Sequence, residues 1–120
     1  MRICIDLDGT ICELRQPGET YADVKPKAGA REFIKMLHEN GHTVIIHTAR
    51  NMQTQGHNVG RVIKNVGKVT LDWLEDNHIE YDEIFFGKPN ADITIDDRCI
   101  RFEDWSALSL GLLKAEAKKE

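Results

Sequence analysis

The sequence has no CxxC pair, no long apolar run and no excess of positive charge, and each absence removes a class of function. Its three cysteines, Cys4, Cys12 and Cys99, are odd in number and share no paired spacing. That argues for reduced thiols rather than a disulfide frame or a zinc site. No histidine pair has zinc-ligand spacing either. No apolar run is long enough to span a bilayer, so no membrane role is expected. No basic, apolar leader opens the chain, and a cytoplasmic protein is the expectation. A formal net charge of −4 and a pI near 5.7 argue against nucleic acid or an anionic membrane as partner. Internal repeats and low-complexity tracts are absent too. What is there is an ordinary globular composition, 41% hydrophobic and 30% charged, with mean hydropathy −0.43. The 120 residues suffice for one domain, 1–120, that buries a core without staples.

The opening "RICIDLDGTIC" is nearly continuously apolar over residues 2–7, which predicts a central parallel strand buried on both faces. Residues 12–25 are polar, contain Pro17 and Gly18, and read as a loop or flap. After Pro26, Ala30, Phe33, Ile34 and Leu37 recur at helical spacing, and Asn40-Gly41 ends that helix. "TVIIHT" at 43–48 is the second strand. Residues 51–66 are broken by glycines and polar residues without a clean period, which predicts an active-site loop holding at most one short helix. A helix is expected over 67–78, strands over 83–86 and 92–95, and a helical tail over 106–120 that frays in "KAEAKKE". This alternation gives an α/β fold with an open, mostly parallel sheet.

In such sheets, ligands sit beyond the carboxyl ends of the strands. The four predicted strands empty into Asp6-Leu7-Asp8-Gly9-Thr10, Thr48-Ala49-Arg50, Gly87-Lys88-Pro89 and Asp96-Asp97-Arg98. One edge therefore gathers four carboxylates, one lysine and nearby arginines. Carboxylates taken from water need a compensating cation, and this surplus suits a hard divalent ion on oxygen ligands, Mg²⁺ above zinc. Asp6 and Asp8 are two apart and face one bound group. One can act as nucleophile while the other protonates a leaving oxygen and then deprotonates water. Thr48, the backbone amides after it and Lys88 offer donors and charge to a phosphoryl group, with Gly9, Ala49 and Arg50 beside them. Arg50 either binds substrate or pairs with the acidic rim.

On these residues the chain resembles the haloacid dehalogenase superfamily, and its phosphatase branch in particular. Asp6-Leu7-Asp8-Gly9-Thr10 matches the family's DxDG[TV] motif, Thr48 its second, Lys88 its third and Asp96-Asp97 its terminal acidic pair. The resemblance implies a Rossmann-like three-layer core and an aspartyl-phosphate on Asp6. It implies that Asp8 is the acid/base and lends its main-chain carbonyl to Mg²⁺. Asp6 and one of the terminal pair complete the metal's protein shell, Asp97 before Asp96. Dehalogenases of this superfamily lack the second aspartate, so Asp8 points to phosphate esters. The segments 12–25 and 51–66 are too short for a cap domain. The chain thus resembles the short capless phosphatases grouped with capsule and surface-polysaccharide biosynthesis. The implied substrate is a phosphorylated sugar or related small metabolite. Capless members take bulky substrates or close the site with a neighbouring subunit, so a homo-oligomer is expected.

Blander accounts exist for each part. Asp-Gly is common in turns, and Lys88 could be a surface residue before a proline, but four clusters in order outweigh these accounts. His57 and Asn58 are candidate substrate readers from their loop. His47 and Arg98 are more simply structural, Cys99 has no supporting motif, and Trp73 and Trp105 suit core anchors. A receiver domain needs an acceptor aspartate after its third strand, yet no aspartate lies between Asp23 and Asp72. A phosphotransferase and a silent phosphate-binding subunit are the remaining alternatives.

Overall fold

The structure, a computed structural model, describes residues 1–117; the last three residues of the expected 106–120 tail lie outside them. In chain order the elements are β1 (Arg2–Asp6), α1 (Ala30–Glu39), β2 (Thr43–Thr48), α2 (Val59–Asp76), β3 (Glu83–Phe86) and α3 (Leu110–Ala117). A 3₁₀ turn at Trp105–Ala107 precedes α3. The strands form a parallel sheet in the order β1-β2-β3, with Asp6 beside His47 and Thr48 beside Phe86. That register brings the three carboxyl ends to one edge. The fold is Rossmann-like, and no cap domain is inserted among the described residues.

Alternation along β2 buries Val44, Ile46 and Thr48, while Thr43, Ile45 and His47 stay partly exposed. On the buried face, Ile5 and Leu7 meet Ala30, Ile34 and Leu37 of α1 and Trp73 and Leu74 of α2. Each such Leu or Ile, buried in full, contributes about 1.5–3 kcal/mol to holding the layers together. Two indole N–H groups tie loops to this core: Trp73 donates to the Val24 carbonyl at 2.7 Å and Trp105 to the Thr10 carbonyl at 2.8 Å. Both tryptophans are the anchors expected. No helix among the described residues is long and apolar enough to cross a membrane.

Two expectations are corrected. Residues 59–66 belong to α2, not to a loop, because the Asn58 side chain accepts from the Arg61 N–H at 3.0 Å and caps the helix. A stripe of Val62, Val66, Thr70, Trp73 and Leu74 then runs through Gly60 and Gly67 without a break. Residues 92–95 join no strand ladder, so the sheet has three strands among the described residues and β1 is an edge, not its centre. Ile93 and Ile95 stand 76% and 96% exposed.

Candidate active site

The turn after β1 is wound around one carbonyl: Leu7 O accepts from the N–H groups of Thr10, Ile11 and Cys12 at 3.2, 2.9 and 3.1 Å. Gly9 supplies the left-handed φ of +83° that this winding needs. Gly9 itself does not reach the cleft, so its part is conformational. At the next strand end, Thr48 O accepts from both Gly87 N–H (3.1 Å) and Lys88 N–H (3.0 Å), clipping the loop after β3 to β2. These loops wall an open cleft of about 810 Å³ whose lining includes Asp6, Asp8, Ala49, Arg50 and Lys88. Five of the predicted site residues therefore meet in one place.

Two ion pairs organise the cleft. Lys88 Nζ lies 3.2 Å from Asp6 Oδ1, with both side chains about one-third exposed. Arg50 forks onto Asp8, Nη2 to Oδ1 at 2.7 Å and Nε to Oδ2 at 3.1 Å. Its Nη1 donates to Thr70 Oγ1 at 3.0 Å, and the guanidinium lies 3.9 Å from the centre of the Tyr21 ring. The Arg50 side chain is 1% exposed. Arg50 is thus paired with the acidic rim, with most of its N–H groups engaged inside the protein. Thr48 is buried beneath the cleft, where its Oγ1 accepts from the Arg50 N–H at 3.0 Å.

Several contributors escaped the sequence reading. Cys12 Sγ donates to Asp8 Oδ1 at 3.4 Å, and burial followed by the Asp8 charge pushes this thiol up to about 12, so it remains a protonated donor. Tyr21, the one aromatic of the polar 12–25 segment, was a legible signal, as was Thr70 on an otherwise apolar stripe. Asn51, Gln53, Asn65 and Asn90 give the cleft an amide-rich wall. His57 and Asn58 do not reach it; Asn58 caps α2 instead. His47 lies outside the cleft lining, and burial, then Lys88, lower its pKa.

Asp96 and Asp97 are not brought to the cleft; both are exposed. The Arg98 N–H donates to Asp96 Oδ1 at 2.9 Å and holds that carboxyl below its ordinary range. Among the described residues no group of three or more His, Cys, Asp or Glu can hold a metal ion. Asp8 has both oxygens on Arg50, and Asp6 faces Lys88. With the terminal acidic pair away from the cleft, Asp6 and Asp8 are the carboxylates of the expected Mg²⁺ shell that line it, and Asp8 is engaged by Arg50.

The fold is a Rossmann-like α/β sheet whose strand ends gather two carboxylates, a lysine and a buried threonine. The family model for haloacid dehalogenase-like hydrolases matches residues 3–84, more than half the chain, and the protein belongs to that family. A crystal structure of a structural-genomics target from Vibrio cholerae superposes with a TM-score of 0.85 at 31% identity, covering 98% of this chain and 97% of that one. No curated protein matches the chain.

Proposed function

We propose that the protein hydrolyses a phosphate monoester of a small hydroxylated metabolite through an aspartyl-phosphate on Asp6. The observation that carries this reading is the pair Asp6 and Asp8 in one cleft, each with its own cation. Asp6 attacks phosphorus and the ester P–O bond breaks. For Asp8 to protonate the departing alkoxide, one of its carboxyl oxygens leaves the Arg50 fork and takes up a proton first. Asp8 then takes a proton from the water that attacks the acyl-phosphate, releasing inorganic phosphate and restoring both carboxyl groups. Lys88, on Asp6, offsets the charge of an approaching phosphate, while Thr48, buried beneath the cleft, holds the strand end in place. Arg50 orients Asp8 rather than the substrate.

The amide-rich wall suits hydroxyl groups, which supports a phosphorylated sugar or polyol; a place in surface-polysaccharide synthesis rests on the motif resemblance alone. Mg²⁺ dependence is supported by the family, although the chain's own donors are incomplete. Phosphate release from a panel of sugar, polyol and nucleotide monophosphates, with Mg²⁺ and with EDTA, tests the reading. Asp6→Asn is expected to lose activity by roughly 10³-fold or more. Unchanged turnover in Asp6→Asn would overturn the mechanism, and transfer to added alcohols in place of water would make the enzyme a phosphotransferase.

A further inference from the structure

Residues 89–99 are eleven consecutive exposed positions in a chain that is otherwise packed. Both ends of this stretch are tied down. Lys88 is bonded to the Thr48 carbonyl and to Asp6, and Trp105 is bonded to Thr10 and ringed by Phe33 and Phe102. Between these anchors the backbone forms no helix or strand and carries Ile93 and Ile95, the two most exposed large apolar residues among those described. The radius of gyration, 14.5 Å, exceeds the roughly 13.6 Å of a compact chain this long. Elsewhere in the fold, β1 has β2 on one side and, among the described residues, no strand on the other. Its N–H and C=O groups on that side form an open edge, with Arg2 and Cys4 exposed. An apolar arm and an unpaired edge on one chain are liabilities that soluble proteins cover.

We propose that the arm and the edge cover each other between two copies. Residues 92–95 of one chain add as a parallel strand to the free edge of β1 in the other, and the exchange is reciprocal about a two-fold axis. The lengths agree, four residues against the five of β1. The Asp-Ile-Thr-Ile alternation gives Ile93 and Ile95 a common face, as a strand laid beside a packed sheet requires. Each chain offers one arm and one edge, so a closed dimer leaves neither exposed. A parallel arm ends at the carboxyl edge, so the partner copy's acidic pair arrives beside Asp6 and Asp8. The oxygen donors lacking in one chain are thus supplied by the other. The pairing stands on the open edge and the exposed arm; the role of the delivered carboxylates rests on the phosphatase reading above.

Two experiments on the full chain decide it. In a Cys99→Ser background, cysteine is placed in turn at Asp92, Ile93, Thr94 and Ile95, and mild oxidation joins it to the native Cys4 of β1. At least one position is expected to give a covalent dimer on a non-reducing gel. A bridge at monomer mass would place the arm on its own β1 and overturn the exchange, and no bridge at any position would overturn pairing at this edge. The second experiment refolds Asp6→Asn together with Asp96→Asn/Asp97→Asn, each inactive alone. Half the dimers are mixed and each has one intact site, so about a quarter of wild-type activity returns if the pair acts in trans. No recovery, with active wild type and a confirmed disulfide dimer, would remove the shared site but keep the arm exchange. A wild type inactive on every substrate would sink the phosphatase reading while the disulfide result still decides the exchange.

Discussion

Arg50 shows how little a residue's identity says until its neighbours are known. An arginine beside a phosphate-binding strand end reads equally as substrate clamp or as structural cation. Burial supports the second, since a guanidinium 1% exposed and forked onto Asp8 has most of its donors engaged inside the protein. On the proposed reading its work is to fix the Asp8 carboxylate, with Thr70, Cys12 and Tyr21 holding Arg50 in turn. Arg50→Lys keeps the charge but loses the planar fork. We expect kcat to fall by about 10²-fold with KM changed by less than about threefold, and stability to drop by roughly 1–3 kcal/mol as Thr70 loses its buried partner. Steady-state kinetics on the best panel substrate make the comparison. A large rise in KM with kcat preserved would instead mark Arg50 as a phosphate ligand.

Among the elements, the site depends on how closely α2 approaches the loop after β3. Gly87 has φ +97°, and a Cβ there would stand 2.8 Å from Val59 Cγ2 in the first turn of α2. Gly87→Ala therefore combines backbone strain with a clash, and its neighbour Lys88 is the residue displaced. We expect a cost of about 2–4 kcal/mol and a loss of activity exceeding the loss of folded protein. Gly41→Ala is the matched control: φ is +78°, nothing lies within 4 Å of the added Cβ, and the position is remote from the cleft. It should lower stability by strain alone, about 1 kcal/mol, and leave turnover per folded molecule unchanged; equal behaviour of the two variants in a melt and an assay would dismiss the clash. The start of α2 is also the element misread in the sequence. Gly56 and Gly60 broke the apparent period of residues 51–66, yet Gly60 lies inside α2, two residues past its Asn58 cap. A glycine inside a helix looks, in one dimension, like a glycine that ends one.

For the whole molecule, legibility followed the range of the interaction. Strand ends, the turn at Gly9 and the stripe of α1 are local patterns, so Asp6, Asp8, Ala49, Arg50 and Lys88 could be placed on one edge before any coordinates. The strand pattern at 92–95 was read too, but a pattern of alternation does not say which edge, or whose, the strand will join. Asp96 and Asp97 inherit that ambiguity, which is why they stand apart from the cleft in a single chain. The exchange of arms carries a consequence that needs no active-site chemistry. If Ile93 and Ile95 are covered only in the dimer, unfolding is coupled to dissociation, and mass action makes the melting temperature depend on protein concentration. For two chains of this size, a hundredfold rise in concentration should raise Tm by roughly 5 °C. Ile93→Asp/Ile95→Asp should abolish that dependence and elute at monomer mass, because a charged arm cannot be laid against the partner's sheet. A wild-type Tm indifferent to concentration, with the same elution as the double variant, would mean that each chain is complete alone and that the exposed isoleucines have some other cover.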